Sequence, residues 1–147
     1  MRYRDSLLMS HQVLQMRATW SNLKVTLTRA KLVAVGSITP SGISQTYQVR
    51  LEYQWGASPK VYVDSPPLGR RALAPDTPIP HTYDDLEPGK ERPCLFYPGA
   101  DWNPAMSLAK TIVPWLMSWL LDYELWHATS KWLGGGIEHT KQSRRAS

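Results

Sequence analysis

The chain of 147 residues holds one cysteine, Cys94, and four histidines. A single cysteine excludes an internal disulfide and any multi-cysteine metal site, and no pair of histidines has the spacing of zinc ligands. Cys94 then has two readings. As a thiolate it would serve acyl transfer, and nearby cations or a helix N-terminus would lower its pKa from about 8.5. Lys90 and Arg92 stand close in sequence, and a helical pattern opening at Asn103 and Pro104 is placed to aim backbone amides at it. As a small apolar residue it would simply pack, because free cysteine is among the most buried residue types. His81 can orient the surrounding loop, act as an acid–base group, or support a backbone carbonyl. A catalytic nucleophile must be reachable by its substrate. The catalytic reading therefore predicts Cys94 partly exposed in a shallow groove, with Trp102 packed beneath the start of the next helix.

The elements that must position these residues are legible in part. Leu7, His11, Leu14 and Ala18 recur at the three-and-four spacing of an amphipathic helix. The stretch "KLVAVGSI" is β-branched and ends at the turn signal "TPSG". Tyr47, Val49, Leu51, Tyr53 and Trp55 alternate with Gln48, Arg50, Glu52 and Gln54, the period of a strand covered on one face. After "GASP", "PKVYVD" reads as a third strand. These predict an antiparallel meander whose dry face the first helix covers. Residues 64 to 93 carry seven of the twelve prolines. Proline stiffens a segment, so this reads as a long, shaped loop rather than a disordered insertion. Asn103 then reads as an N-cap with Pro104 in the first helical position. Pro114 should interrupt or restart that helix, a second helix should run from Pro114 to about Lys131, and "LGGG" should stop it. Trp115, Trp119, Tyr123 and Trp126 share helical spacing and belong mostly to the core.

Composition sets further limits. The length fits one domain over residues 1–139, with a basic, solvated tail at 140–147. The formal charge of +5 owes much to that tail, and no stacking motif or basic helix supports nucleic-acid binding. The most apolar run, Ile112 to Leu121, is ten residues and well short of the ~20 needed to span a bilayer. A soluble cytoplasmic protein with no membrane partner and no cofactor is expected. Seven Trp and seven Tyr against one Phe predict a core with polar edges, or an aromatic surface kept for a partner.

Cys94-Leu95, the step of eight residues to Trp102, and Trp102-x-Pro104-Ala105, behind a helix, a meander and a proline-rich loop, together resemble the ubiquitin-conjugating enzyme (UBC) fold. The downstream stretch resembles the bacterial stand-alone branch of that fold associated with CBASS anti-phage operons. His81, Tyr83, Trp115, Trp119, Tyr123, Glu124, Trp126, Trp132 and Gly134 to Gly136 match its pattern over about residues 45 to 139. The resemblance implies an α+β, UBC-like fold: an N-terminal helix, an antiparallel β-meander, a long proline-rich active-site loop and C-terminal helices. It implies that "SPPLGR" forms the proline-rich turn after the third strand and that "PIPHTY" stands at the family's His-Pro-Asn element. His81 lies 13 residues before Cys94, further than is usual, and Thr82 or Tyr83 replaces the Asn, whose role is thereby left open.

On this resemblance Cys94 is the thioester-forming cysteine and His81 its catalytic or supporting partner. Thr82, Tyr83, Asp84 and Asp85 are candidates for positioning a substrate. The implied partner is the C-terminus of a cyclic-oligonucleotide synthase (a nucleotidyltransferase), with or without an activating enzyme. The glycines at 134–136 read as a helix stop rather than a modifier tail. Two other readings stand beside this one: a non-catalytic UBC-like binding module that holds the synthase, and an unrelated α+β domain whose basic tail touches nucleic acid.

Overall fold

The computed structural model describes residues 6–83, 90–96 and 101–134. The chain order is helix α1 (Met9–Thr19), strands β1 (Leu23–Thr28), β2 (Lys31–Ile38), β3 (Tyr47–Gln54) and β4 (Lys60–Ser65), then helix α2 (Ile112–Thr129). The strands form one antiparallel sheet in sequence order. The fold is thus α+β with a helix at either end of a meander. Asp84 and Asp85, the end of the "GGG" run and the basic tail lie outside the described residues.

β3 shows why the sheet has one register. Tyr47, Val49, Leu51 and Tyr53 are buried, while Gln48, Arg50, Glu52 and Gln54 face outward. A slip of one residue would bury Arg50 and Glu52, so the pattern fixes the pairing. Trp55 falls just past the strand and is partly buried against the core. The meander has one strand more than expected. β1, "LKVTLT", buries only Leu23 and Val25, too little alternation to stand out. It joins β2 through a two-residue turn in which Arg29 takes the left-handed conformation (φ 50°), as such hairpins require. Gly36 of β2 lies opposite Leu23, and a Cβ there would collide with the Asn22 carbonyl.

α1 forms where expected but turns a different face inward. Gln12, Val13 and Met16 are buried, whereas His11, Leu14 and Ala18 are exposed, Leu14 at 62%. Gln12 can be buried because its amide is satisfied at both ends: Nε2 donates to the Met106 carbonyl (2.8 Å) and Oε1 accepts from the Leu108 amide (2.9 Å). The Trp20 indole donates to the Ala109 carbonyl (2.8 Å), fastening the end of α1 to the chain before α2.

No helix starts at Asn103. Its Oδ1 accepts from the Ala105 amide (2.9 Å) and its carbonyl from Met106 (2.9 Å), closing an Asx-type turn that competes with a helix. One helix, α2, follows among the described residues. Pro114 sits within its first turn, where its missing N–H costs nothing, so the helix begins before the proline instead of restarting at it. α2 ends at Ser130, left-handed (φ 67°), four residues before Gly134. Its buried residues Ile112, Val113, Leu116, Trp119, Leu120, Tyr123 and Trp126 join Val13 and Met16 of α1 in one core with the sheet. No helix of the described residues is long and apolar enough to cross a membrane.

Candidate active site

Cys94 is held by a short two-stranded pairing outside the sheet. Thr82 bridges Pro93, the Cys94 amide donates to the His81 carbonyl (2.8 Å), and the Tyr83 amide donates to the Arg92 carbonyl (3.1 Å). The His81 carbonyl accepts a second bond, from the Trp119 indole on α2 (2.9 Å). His81 achieves this in the left-handed conformation (φ 54°), uncommon for a residue with a Cβ and costing about 1 kcal/mol. Its carbonyl therefore joins α2 to the cysteine segment, while its ring lies 4.9 Å from that of Trp132. Trp119 in turn stacks on Tyr123 (5.6 Å) and leans on Trp132 (5.4 Å). Gly134 follows, where a Cβ would collide with the Asp122 carboxylate. Burial raises the Asp122 pKa, and the nearby His81 charge opposes that rise.

The sulfur is not in an open groove. Cys94 is 1% exposed, which overturns the expectation of a partly exposed thiol. The thiol donates to the Phe96 carbonyl (3.7 Å), since Leu95 and Phe96 fold over the core beside it. Burial pushes the Cys94 pKa up to about 11; a hydrogen bond from Tyr83 and the Arg92 charge work in the opposite direction. Of the cations near in sequence, Arg92 is the one the sulfur feels. The expected help from a helix at Asn103 is absent because α2 starts at Ile112. The resting site is a closed, protonated thiol with a hydroxyl and a guanidinium in place to favour the thiolate.

Thr82 is buried, its hydroxyl donating to the Ile79 carbonyl (2.9 Å). Tyr83 is half-buried between Cys94 and Arg92, whose guanidinium lies 4.4 Å from its ring centroid. Trp102 is buried edge-on to Tyr53 (5.4 Å), and its indole donates to the Thr111 hydroxyl (3.1 Å) directly before α2. It therefore packs at the start of that helix. The Pro104 carbonyl accepts from the Leu7 amide (2.8 Å), tying down the approach to α1.

The "SPPLGR" turn follows β4, the fourth strand. It is fastened to α2 by the Gly69 amide donating to the Tyr123 hydroxyl (2.8 Å) and by His127 Nε2 against the Gly69 carbonyl (2.7 Å). Glu124 accepts from the Tyr47 hydroxyl (2.9 Å). The aromatic and acidic residues of α2 thus brace the sheet and the proline-rich turn.

Sequence reasoning missed two contributors to this surface, Tyr62 and Arg50. They lie opposite each other on β4 and β3, and both Arg50 and Arg92 approach the Tyr62 ring. An aromatic at an outward position of a polar strand face is the signal that marks them. Among the described residues no group of three or more His, Cys, Asp or Glu could hold a metal ion.

No curated protein matches the chain. The family model described as "Type II CBASS E2 protein" matches residues 12–140, which include the sheet, the Cys94 segment and α2, and the chain belongs to that family.

Proposed function

We propose that Cys94 carries an acyl group as a thioester formed with the C-terminus of a partner, a CBASS cyclic-oligonucleotide synthase, and passes it to an amine or another nucleophile. In the first step the thiolate attacks the activated terminal carbonyl. A C–S bond forms and the activating group departs with its electron pair. In the second step the acceptor nitrogen attacks the thioester carbonyl, a C–N bond forms, the acceptor proton is lost and sulfur leaves as thiolate. Such transfer would regulate anti-phage signalling by modifying the synthase or its target. The observation that carries this reading is the setting of the chain's one cysteine. It is held by the His81 carbonyl, with the Tyr83 hydroxyl and the Arg92 guanidinium both acting on its sulfur. Tyr83 stands near the family's Asn, and its hydroxyl is suited to donate to the oxyanion that follows attack. His81 supports the loop through its backbone, so His81→Ala should slow transfer rather than abolish it.

The test is an adduct. The protein incubated with intact synthase, and with an activating enzyme where one is needed, should gain a higher-mass species that excess thiol collapses. Cys94→Ser should trap an oxyester resistant to thiol, and Cys94→Ala should bind the partner without any adduct. The burial of the thiol favours a second reading, a non-catalytic module that holds the synthase. If Cys94→Ala leaves both the adduct and the biological output unchanged, that reading replaces the first.

A further inference from the structure

The outward face of β3 and β4 carries a feature that the sulfur chemistry does not use. Arg50 and Tyr62 are cross-strand partners, with the Arg50 guanidinium 4.0 Å from the Tyr62 ring centroid. Arg92 lies 5.6 Å from the same ring and 4.4 Å from that of Tyr83. Rings and guanidiniums therefore alternate from Arg50 through Tyr62 and Arg92 to Tyr83, the residue hydrogen-bonded to Cys94. Beside them is a groove of about 530 Å³ whose lining includes Lys60, Lys90, Asp64 and Glu91. Its lining holds four cations, Arg50, Lys60, Lys90 and Arg92, against two carboxylates. Arg50 is largely spent on Asp64 (3.4 Å) and Glu52. Lys60 makes no ion pair among the described residues, so the groove lining keeps an excess of positive charge beside the Tyr62 ring.

From this we infer that the groove docks an extended, acidic peptide: the C-terminal tail of the acyl donor, led along the ladder towards Cys94. The inference rests on the acyl-transfer reading for its occupant. Charge complementarity selects an acidic chain, and the ladder ends at the residue touching the sulfur. Its successive spacings of 4.0, 5.6 and 4.4 Å correspond to at most about four extended residues. The acidic side chains should therefore fall within about four positions of the tail's last residue.

The experiment uses the whole protein and three fluorescent probes: a decapeptide with glutamates in its last four positions before a terminal glycine, the same peptide with lysines there, and a single-stranded decanucleotide. The acidic peptide should bind best, and more weakly as salt rises. Lys60→Gln, which removes the charge at an exposed site without setting a second carboxylate opposite Glu52, and Lys60→Glu should weaken it about two- to fivefold, and Tyr62→Leu should do likewise. Equal binding of acidic and basic peptides, or no effect of Lys60→Glu and Tyr62→Leu, would overturn the docking assignment; tighter binding of the oligonucleotide would give the groove to nucleic acid instead. The two proposals fail separately. Peptide binding without any thioester sinks the chemistry alone, and a thioester formed at an unchanged rate in Lys60→Glu and Tyr62→Leu sinks the groove alone.

Discussion

Strand β3 and the Cys94 segment are both buried against the same core, yet they are held in opposite ways. β3 has a neighbour on each side, and every inward residue is apolar or aromatic. Among the described residues, the cysteine segment is held by a bridge with its two backbone bonds and by an indole donor from α2. The strand is stabilised by non-directional burial spread over many atoms. The segment adds directional bonds to its burial, two of which meet at the His81 carbonyl. A structure of the second kind can open locally without the first being disturbed. A thiol that is 1% exposed at rest needs that property if it is to meet a macromolecular substrate.

The contrast can be broken from either side. The largest effect should come from the sheet. Leu51→Ala removes a side chain that is 4% exposed and should cost about 2–5 kcal/mol in urea unfolding. Cys94 labelling should then rise only in step with that global loss. Gly36→Ala should cost about 1–3 kcal/mol, because β1 must move away from the new methyl group at Asn22. In this variant too, labelling and stability should change together. Trp119→Phe should behave differently. It deletes the indole donor to the His81 carbonyl for about 1 kcal/mol of stability. Labelling of Cys94 by iodoacetamide should nonetheless accelerate beyond what that loss predicts. Acceleration in proportion to stability alone would show that the segment does not open separately.

The same division explains what was legible in the sequence. β3 could be read because burial on one face writes a period of two into the residues, and Tyr47 to Tyr53 follow it without a break. β1 could not, since four of the six residues of "LKVTLT" face solvent and the strand is defined by its pairing with β2. The helical face of α1 was misread because Gln12 is polar. Its burial depends on the Met106 carbonyl and Leu108 amide, which lie more than ninety residues away. At Asn103 a side-chain turn won over a helix that the following residues suit. The candidate site residues were nominated by a resemblance, chiefly the eight-residue step from Cys94 to Trp102. Their geometry was not: nothing local tells that the His81 backbone turns left-handed while its carbonyl meets the Trp119 indole, or that the sulfur is buried.

The smallest effect, and the one that sharpens the comparison most, concerns pH. Burial raises the Cys94 thiol from its ordinary 9.0 to about 11, with Tyr83 and Arg92 holding it back. A raised pKa means that the folded state prefers the protonated thiol. Its contribution to stability is fully present below pH 9.0 and is lost as pH rises through about 11. Iodoacetamide reacts with the thiolate, so the labelling rate of the folded protein should rise with a midpoint above that of the urea-unfolded chain. Tyr83→Phe removes a group that favours the thiolate and should push the midpoint higher still while leaving urea unfolding nearly unchanged. The acidic decapeptide, if its docking opens the segment, should move the midpoint down towards the unfolded value. A midpoint below 9.0 in the protein alone would mean that the thiol is already activated at rest, and the closed segment would then be no barrier to its chemistry.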